Sequence, residues 1–178
     1  MGLQLIFVVE TNSKSKSDWI YIKDTVEQFY QYDQHHVKLT PVYMDGKGKY
    51  QGKKKEVNRL ISQYSSTSKT NQSKVIYCFD CDDYDVKRED SEFLKEAEKY
   101  CNTNGYDFIW FCKDIECVYL GKKIERHDKQ HQAANFKAKK QINKIDPKKL
   151  QYKAYQNNTS NILRILDQHL SRKEIVSK

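Results

Sequence analysis

Glycine and proline are scarce in this 178-residue chain, 6 and 2 in number, which excludes a collagen-like, low-complexity or turn-dense all-β protein. Long apolar runs are missing too. None approaches the ~20 residues that a membrane helix needs, so no membrane association is expected. Cysteines number five, an odd count that does not suit a disulfide framework. The stretch from Leu3 to Val9 is too short for a signal-peptide core, lacks a positive segment before it and runs into charged sequence. Reduced thiols in a cytoplasm are therefore the expectation. Charge and aromatic bulk are plentiful by contrast. Charged residues make up 31% and mean hydropathy is −0.92, yet 13 Tyr, 7 Phe and 2 Trp supply material for a core. The length fits one domain of ordinary size.

The net charge of +8 is unevenly distributed. Between Asp80 and Glu116 there are 12 acidic residues against 5 basic, a net of −7. From Gly121 to the end there are 15 basic against 5 acidic, a net of +10. An acidic centre with basic flanks suits a metal site beside a phosphate-binding surface; a solvated lysine-rich tail accounts for the charge equally well.

Apolar patterning predicts an α/β fold. Gln4 to Val9, Lys74 to Phe79 and Tyr106 to Cys112 are short unbroken apolar runs, the mark of strands buried on both faces of a parallel sheet. Val37 to Met44 reads as a further strand, and Pro41 within it calls for an edge position or a bulge. Helices are expected from about Trp19 to Tyr32, capped by Ser17 or Asp18, then through Val57, Leu60, Ile61 and Tyr64, and from a Ser91 cap to Cys101. Ile115 to Leu120 also reads as helical. After about Gln130 the pattern is helical, broken near Pro147, and closes with Asn161 to Leu170 capped by Thr159 or Ser160. This makes a mostly parallel four-stranded sheet flanked by helices over residues 1–120, with a basic helical extension over 121–178 packed on the same domain.

Ligands of open α/β sheets sit at the carboxyl ends of the strands. Glu10 ends the first strand and Asp80 the third, with Asp82, Asp83 and Asp85 close behind. Carboxylates converging on one rim repel each other unless a cation joins them, and oxygen donors suit Mg²⁺ or Mn²⁺.

The segments IFVVE and IYCFDCDD, separated by one βα unit, resemble the TOPRIM domain of primases, topoisomerases and small nucleases. That pattern is an apolar strand ending in Glu and a later one ending in Asp-x-Asp, matched here by Glu10, Asp80 and Asp82. Thr11 stands where the common pattern has Gly. The stretches DFIWFCKDIECVYLGK, with Glu116, and NNTSNILRILDQHL are similar to the ending of the RloB-like branch of small bacterial TOPRIM proteins. The resemblance implies a nuclease that hydrolyses phosphodiesters of DNA or RNA, active in anti-phage defence with a separate ATPase as partner. It implies Mg²⁺ or Mn²⁺ on Glu10, Asp80, Asp82 and Asp83, with Glu116 joining the catalytic rim. Glu116 read alone is also a helix N-terminal acid favoured by the macrodipole. The alternative is a nucleic-acid-binding or regulatory subunit with a degenerate metal site.

The loop DGKGKYQGKKK, Asp45 to Lys55, fails as a P-loop: its glycines are wrongly spaced and no Ser or Thr follows the lysines. Lys47, Lys49, Lys53, Lys54 and Lys55 are instead candidates for phosphate contact, as are Lys113, Lys137, Lys139 and Lys140; solvated lysines are the competing reading. His127 and His131 lack a third metal ligand and are expected to lie on a solvated helix face. Cys78 and Cys81 sit three apart at a strand end, which aims them at opposite faces and argues against a redox or zinc role.

Overall fold

A computed structural model describes residues 1–174. In chain order its elements are β1 (Leu3–Val9), α1 (Ser17–Phe29), β2 (Tyr30–Gln31), β3 (Val37–Tyr43), α2 (Lys54–Thr67), β4 (Gln72–Asp80), α3 (Arg88–Asn104), β5 (Asp107–Cys112), α4 (Ile115–Leu120), α5 (Lys129–Ala138), β6 (Thr159–Ser160), α6 (Ile162–Leu166) and β7 (Ser171–Arg172). The main sheet runs β3-β1-β4-β5-β6, with the first four strands parallel and β6 antiparallel to β5. The α/β class and the parallel arrangement agree with the sequence pattern. The sheet has five strands, not four.

Unbroken apolar runs arise because helices cover both faces of the sheet. Leu5, Phe7 and Val9 of β1 join Ile76 and Cys78 of β4 and Ile109 and Phe111 of β5 in one core, beneath α1, α4, α5 and α6. The intervening residues, Ile6, Val8, Tyr77, Phe79 and Trp110 among them, fill the second core against α2 and α3. A two-residue period thus distributes each strand between two cores. Cys78 and Cys81 fall in opposite cores, as their spacing requires.

Pro41 pairs in register with Phe7 and the register is continuous from Leu3↔Val37 to Val9↔Tyr43. No bulge intervenes; β3 is the edge strand, where a missing N–H disturbs no ladder. Helix α3 begins at Arg88 rather than after a Ser91 cap, and ends at Gly105, whose φ of 66° terminates it in the left-handed conformation.

The C-terminal part is less helical than its sequence pattern. Only α5 has ten residues; 3₁₀ turns cover Gln141–Lys144 and Pro147–Leu150, and α6 spans five residues instead of Asn161 to Leu170. Thr159 and Ser160 form β6 because the Ser160 hydroxyl donates to Trp110 O at 2.6 Å, drawing the chain back along β5. The same hydroxyl accepts from Ile162 N at 3.1 Å, so Ser160 still serves the start of the helix. Ala133 and Phe136 of α5 pack into the core beside Tyr21, with the Phe136 and Tyr21 ring centroids 5.0 Å apart. Among the described residues no helix is long and apolar enough to cross a membrane.

Candidate functional site

The sheet order reverses between β1 and β4. The chain leaves β1 for β3 on one side, then returns to β4 and β5 on the other. A crevice therefore opens at the carboxyl ends of β1 and β4, where α/β folds hold their ligands. A cavity of about 390 Å³ lies there, lined by Glu10, Asp18, Asp80, Arg126 and Lys129 together with Thr11, Asn12, Ser15, Ser17, Asp45 and Gly46.

Two of the expected residues meet directly. Glu10 Oε1 accepts from the Asp80 backbone N–H at 2.8 Å, tying the two strand ends together. Asp80 Oδ1 in turn accepts from Ile115 N at 2.9 Å, at the first turn of α4. A third carboxylate, Asp18, was expected only as a helix cap. Helix α1 starts one residue before it, and Asp18 Oδ2 reaches back to Thr11 N at 3.2 Å. Glu116 is fully buried in the first turn of α4, and its Oε2 accepts from Lys129 Nζ at 2.8 Å. Its Oε1 has no hydrogen-bond partner among the described residues, nor does Thr11 Oγ1.

These groups act on one another electrostatically. Burial, reinforced by the charges of Asp18 and Asp82, raises the Glu10 carboxyl to about 8, although the Asp80 N–H and Lys47 oppose the shift. Burial and the charge of Glu116 raise Asp18 to about 7. Asp80 is also raised, by burial and then by Glu10, Asp18 and Glu116. Burial favours a neutral Lys129, but Asp80, Glu116 and Asp18 outweigh it and hold the ammonium charged. Three carboxyl groups pushed up together mark a site where the half-buried Lys129 does not offset the charge they would carry if all were ionised.

Other expected ligands face elsewhere. Asp82 adopts a φ of 49°, a left-handed conformation that Asp tolerates, and its carboxylate pairs with Lys47, which also binds Asp90 at 3.0 Å. Asp83 pairs with Lys87 at 2.9 Å and Lys113 at 3.6 Å, and Asp85 with Lys113 at 3.2 Å. Lys113 thus bridges two acids beside the rim.

Of the loop lysines, Lys49 pairs with Asp45, Lys53 with Glu56, and Lys54 bonds Asn104 Oδ1. Lys55 is exposed. Lys137, Lys139 and Lys140 are exposed at the far end of α5, ~12 Å or more along its axis from Lys129. His127 and His131 are both exposed, but they do not share a helix face: only His131 is on α5, and His127 lies in the turn before it.

Asp18, Arg126 and Lys129 escaped the sequence reading. Asp18 carried a weak signal, an acid in the first turn of the helix that follows a strand ending in Glu. Arg126 and Lys129 are indistinguishable in sequence from their charged neighbours, and only the packing of α5 on α1, with the turn before α5, brings them to the cavity.

The TOPRIM resemblance implies a divalent cation. Among the described residues no three His, Cys, Asp or Glu side chains are grouped as a ready-made metal site. Glu10 and Asp80 nevertheless fit such an ion. Both are oxygen donors on one cavity, Glu10 held by the Asp80 backbone N–H and Asp80 by that of Ile115, each raised by burial and then by the other's charge or its neighbours', and Mg²⁺ commonly takes only one or two protein carboxylates, with water and substrate phosphate filling its remaining positions. No family model matches the chain, and neither do curated proteins or solved structures.

Proposed function

We propose that the chain is a Mg²⁺- or Mn²⁺-dependent nuclease of TOPRIM type, hydrolysing phosphodiester bonds of DNA or RNA. The observation that carries this reading is the meeting of Glu10 and Asp80 in one cavity at the sheet's switch point. A bound cation would supply Lewis acidity and a hydroxide-like water at neutral pH. Glu10 and Asp80 would hold it. Asp18, raised to about 7, is suited to exchange a proton with water near neutrality. Arg126 and Lys129 line the same cavity and would face the phosphate, where positive charge stabilises the transition state. The RloB-like resemblance adds a defence role and a separate ATPase partner to the proposal.

A second reading, a nucleic-acid-binding or regulatory subunit, is favoured by the engagement of Asp82 with Lys47 and by the missing three-carboxylate cluster among the described residues. Cleavage of plasmid, single-stranded DNA and tRNA in Mg²⁺ or Mn²⁺ separates the two. Glu10→Ala and Asp80→Ala should each lower the rate by at least on the order of 100-fold while retaining binding, since even groups that merely support metal ligands are worth up to that factor. Cleavage that survives both substitutions defeats the metal-site reading. Salt-sensitive binding without cleavage by the unaltered protein favours the subunit.

A further inference from the structure

Three cavities adjoin from the carboxyl ends of β1 and β3 to the start of α2. The carboxylate cavity shares Asn12 and Asp45 with a cavity of about 510 Å³ that adds Ser13, Lys14 and Tyr43. That one shares Lys53 and Glu56 with a larger open groove of about 910 Å³, which adds Lys49, Lys55 and Arg59. Together they form one track, from the strand ends, past the start of α2, to its outer face. Five basic side chains line it beyond the carboxylate cavity. Its two acids are each already paired, Asp45 with Lys49 at 3.0 Å and Glu56 with Lys53 at 3.3 Å. Lys14, Lys55 and Arg59 have no ion-pair partner among the described residues, so their charge is left for something outside the molecule.

The geometry points to this track as the path of a single-stranded nucleic-acid segment leading to or from the carboxylate cavity. The reasons are its charge, its shape and its one aromatic. Consecutive phosphates need spaced cations, which Lys14, Lys55 and Arg59 provide. Tyr43 is half-buried at the end of β3, packed on one side against the core and lining the cavity with the rest of its surface, where an unstacked base could rest on it. A duplex presents its bases stacked inside and cannot use such a ring. Lys47, Lys113 and the Lys137–Lys140 end of α5 take no part, because the first two are bound by acids and the last lies away from the track.

This inference rests on the nuclease reading for the identity of the cavity at the end of the track, but its test reads binding alone. Fluorescein-labelled 12-nucleotide single strands of DNA and RNA, and a 12-base-pair duplex, are titrated with the full chain over a range of NaCl without divalent cation. The double variant Lys55→Glu with Arg59→Glu should weaken single-strand binding at least tenfold and lower the slope of log affinity against log salt by ~1.4, two phosphates' worth. Tyr43→Leu keeps apolar bulk and should weaken it at least ~5-fold, the lower limit for a lost base stack. Lys122→Glu, outside the track, should bind within twofold of the unaltered protein.

Unchanged affinity and slope in the double variant overturn the track, as does binding of the duplex equal to or tighter than that of the single strand. The two readings fail separately. Single-strand binding that depends on the track with no cleavage in Mg²⁺ would remove the nuclease reading only. Cleavage lost in Asp80→Ala but indifferent to Lys55 and Arg59 would remove the track only.

Discussion

Each carboxyl group in the cavity titrates against its neighbours as well as against burial. Glu10 and Asp18 hold their protons in the folded state to about 8 and about 7, whereas the unfolded chain releases them near the ordinary values of 4.5 and 3.8. The folded state therefore binds more protons across that interval, and its stability is fully present at acid pH and is lost as pH rises. Melting temperatures of the metal-free protein should fall between about pH 5 and pH 8.5, Glu10→Gln should flatten the decline, and Mg²⁺ should restore most of it at the alkaline end. A Tm that rises over that range would contradict the assignment. Asp33, held below the ordinary value by the His35 backbone N–H and then the His36 ring, and Asp45 and Asp83, held below it by Lys49 and Lys87, act in the opposite sense and only in stronger acid.

Elements with enough length to show a period were legible in the chain. β1, β4 and β5 announce themselves as unbroken apolar runs, and α2 by Val57, Leu60, Ile61 and Tyr64 at helical spacing. β2, β6 and β7 have two residues each, too few for any alternation, and they exist because tertiary contacts draw them in. Ser160 is the contact that does so for β6. Ser160→Ala removes the bonds to Trp110 O and from Ile162 N together, and should cost about 1–3 kcal/mol in urea unfolding, with the main sheet intact by circular dichroism. The 3₁₀ turns replaced an expected helix for a different reason. Ile142, Ile145 and Leu150 keep helical spacing and all reach the core, but Lys140 turns left-handed with φ 48° and Pro147 has no N–H to donate, so the backbone is cut into two short 3₁₀ turns.

On the scale of the whole molecule, the division of charge between an acidic centre and a basic C-terminal part has a structural counterpart. α5 packs on α1 and, with the turn before it, brings Lys129 and Arg126 to the carboxylate cavity, so the two charge blocks meet at one point. Sequence counting located both blocks and Glu10 with Asp80, but not their junction, since that depends on which helix faces which. Lys129 is the junction's most consequential residue. Lys129→Met leaves Glu116, fully buried, with neither oxygen partnered, and should cost about 3–5 kcal/mol. Adding Glu116→Gln should recover much of that loss in chemical denaturation, because the stranded charge disappears; no recovery would show that Lys129 acts through packing instead.

The Glu116–Lys129 pair also sets an order of events during synthesis. A nascent chain that has emerged only as far as Leu120 carries Glu10, Asp18, Asp80 and Glu116, yet not the ammonium that balances them. Until Lys129, nine residues further on, has docked, Glu116 has no ammonium from which to accept a hydrogen bond. The four parallel strands thus precede in the chain the cation that completes the cavity, while β6, the last strand of the sheet, follows it.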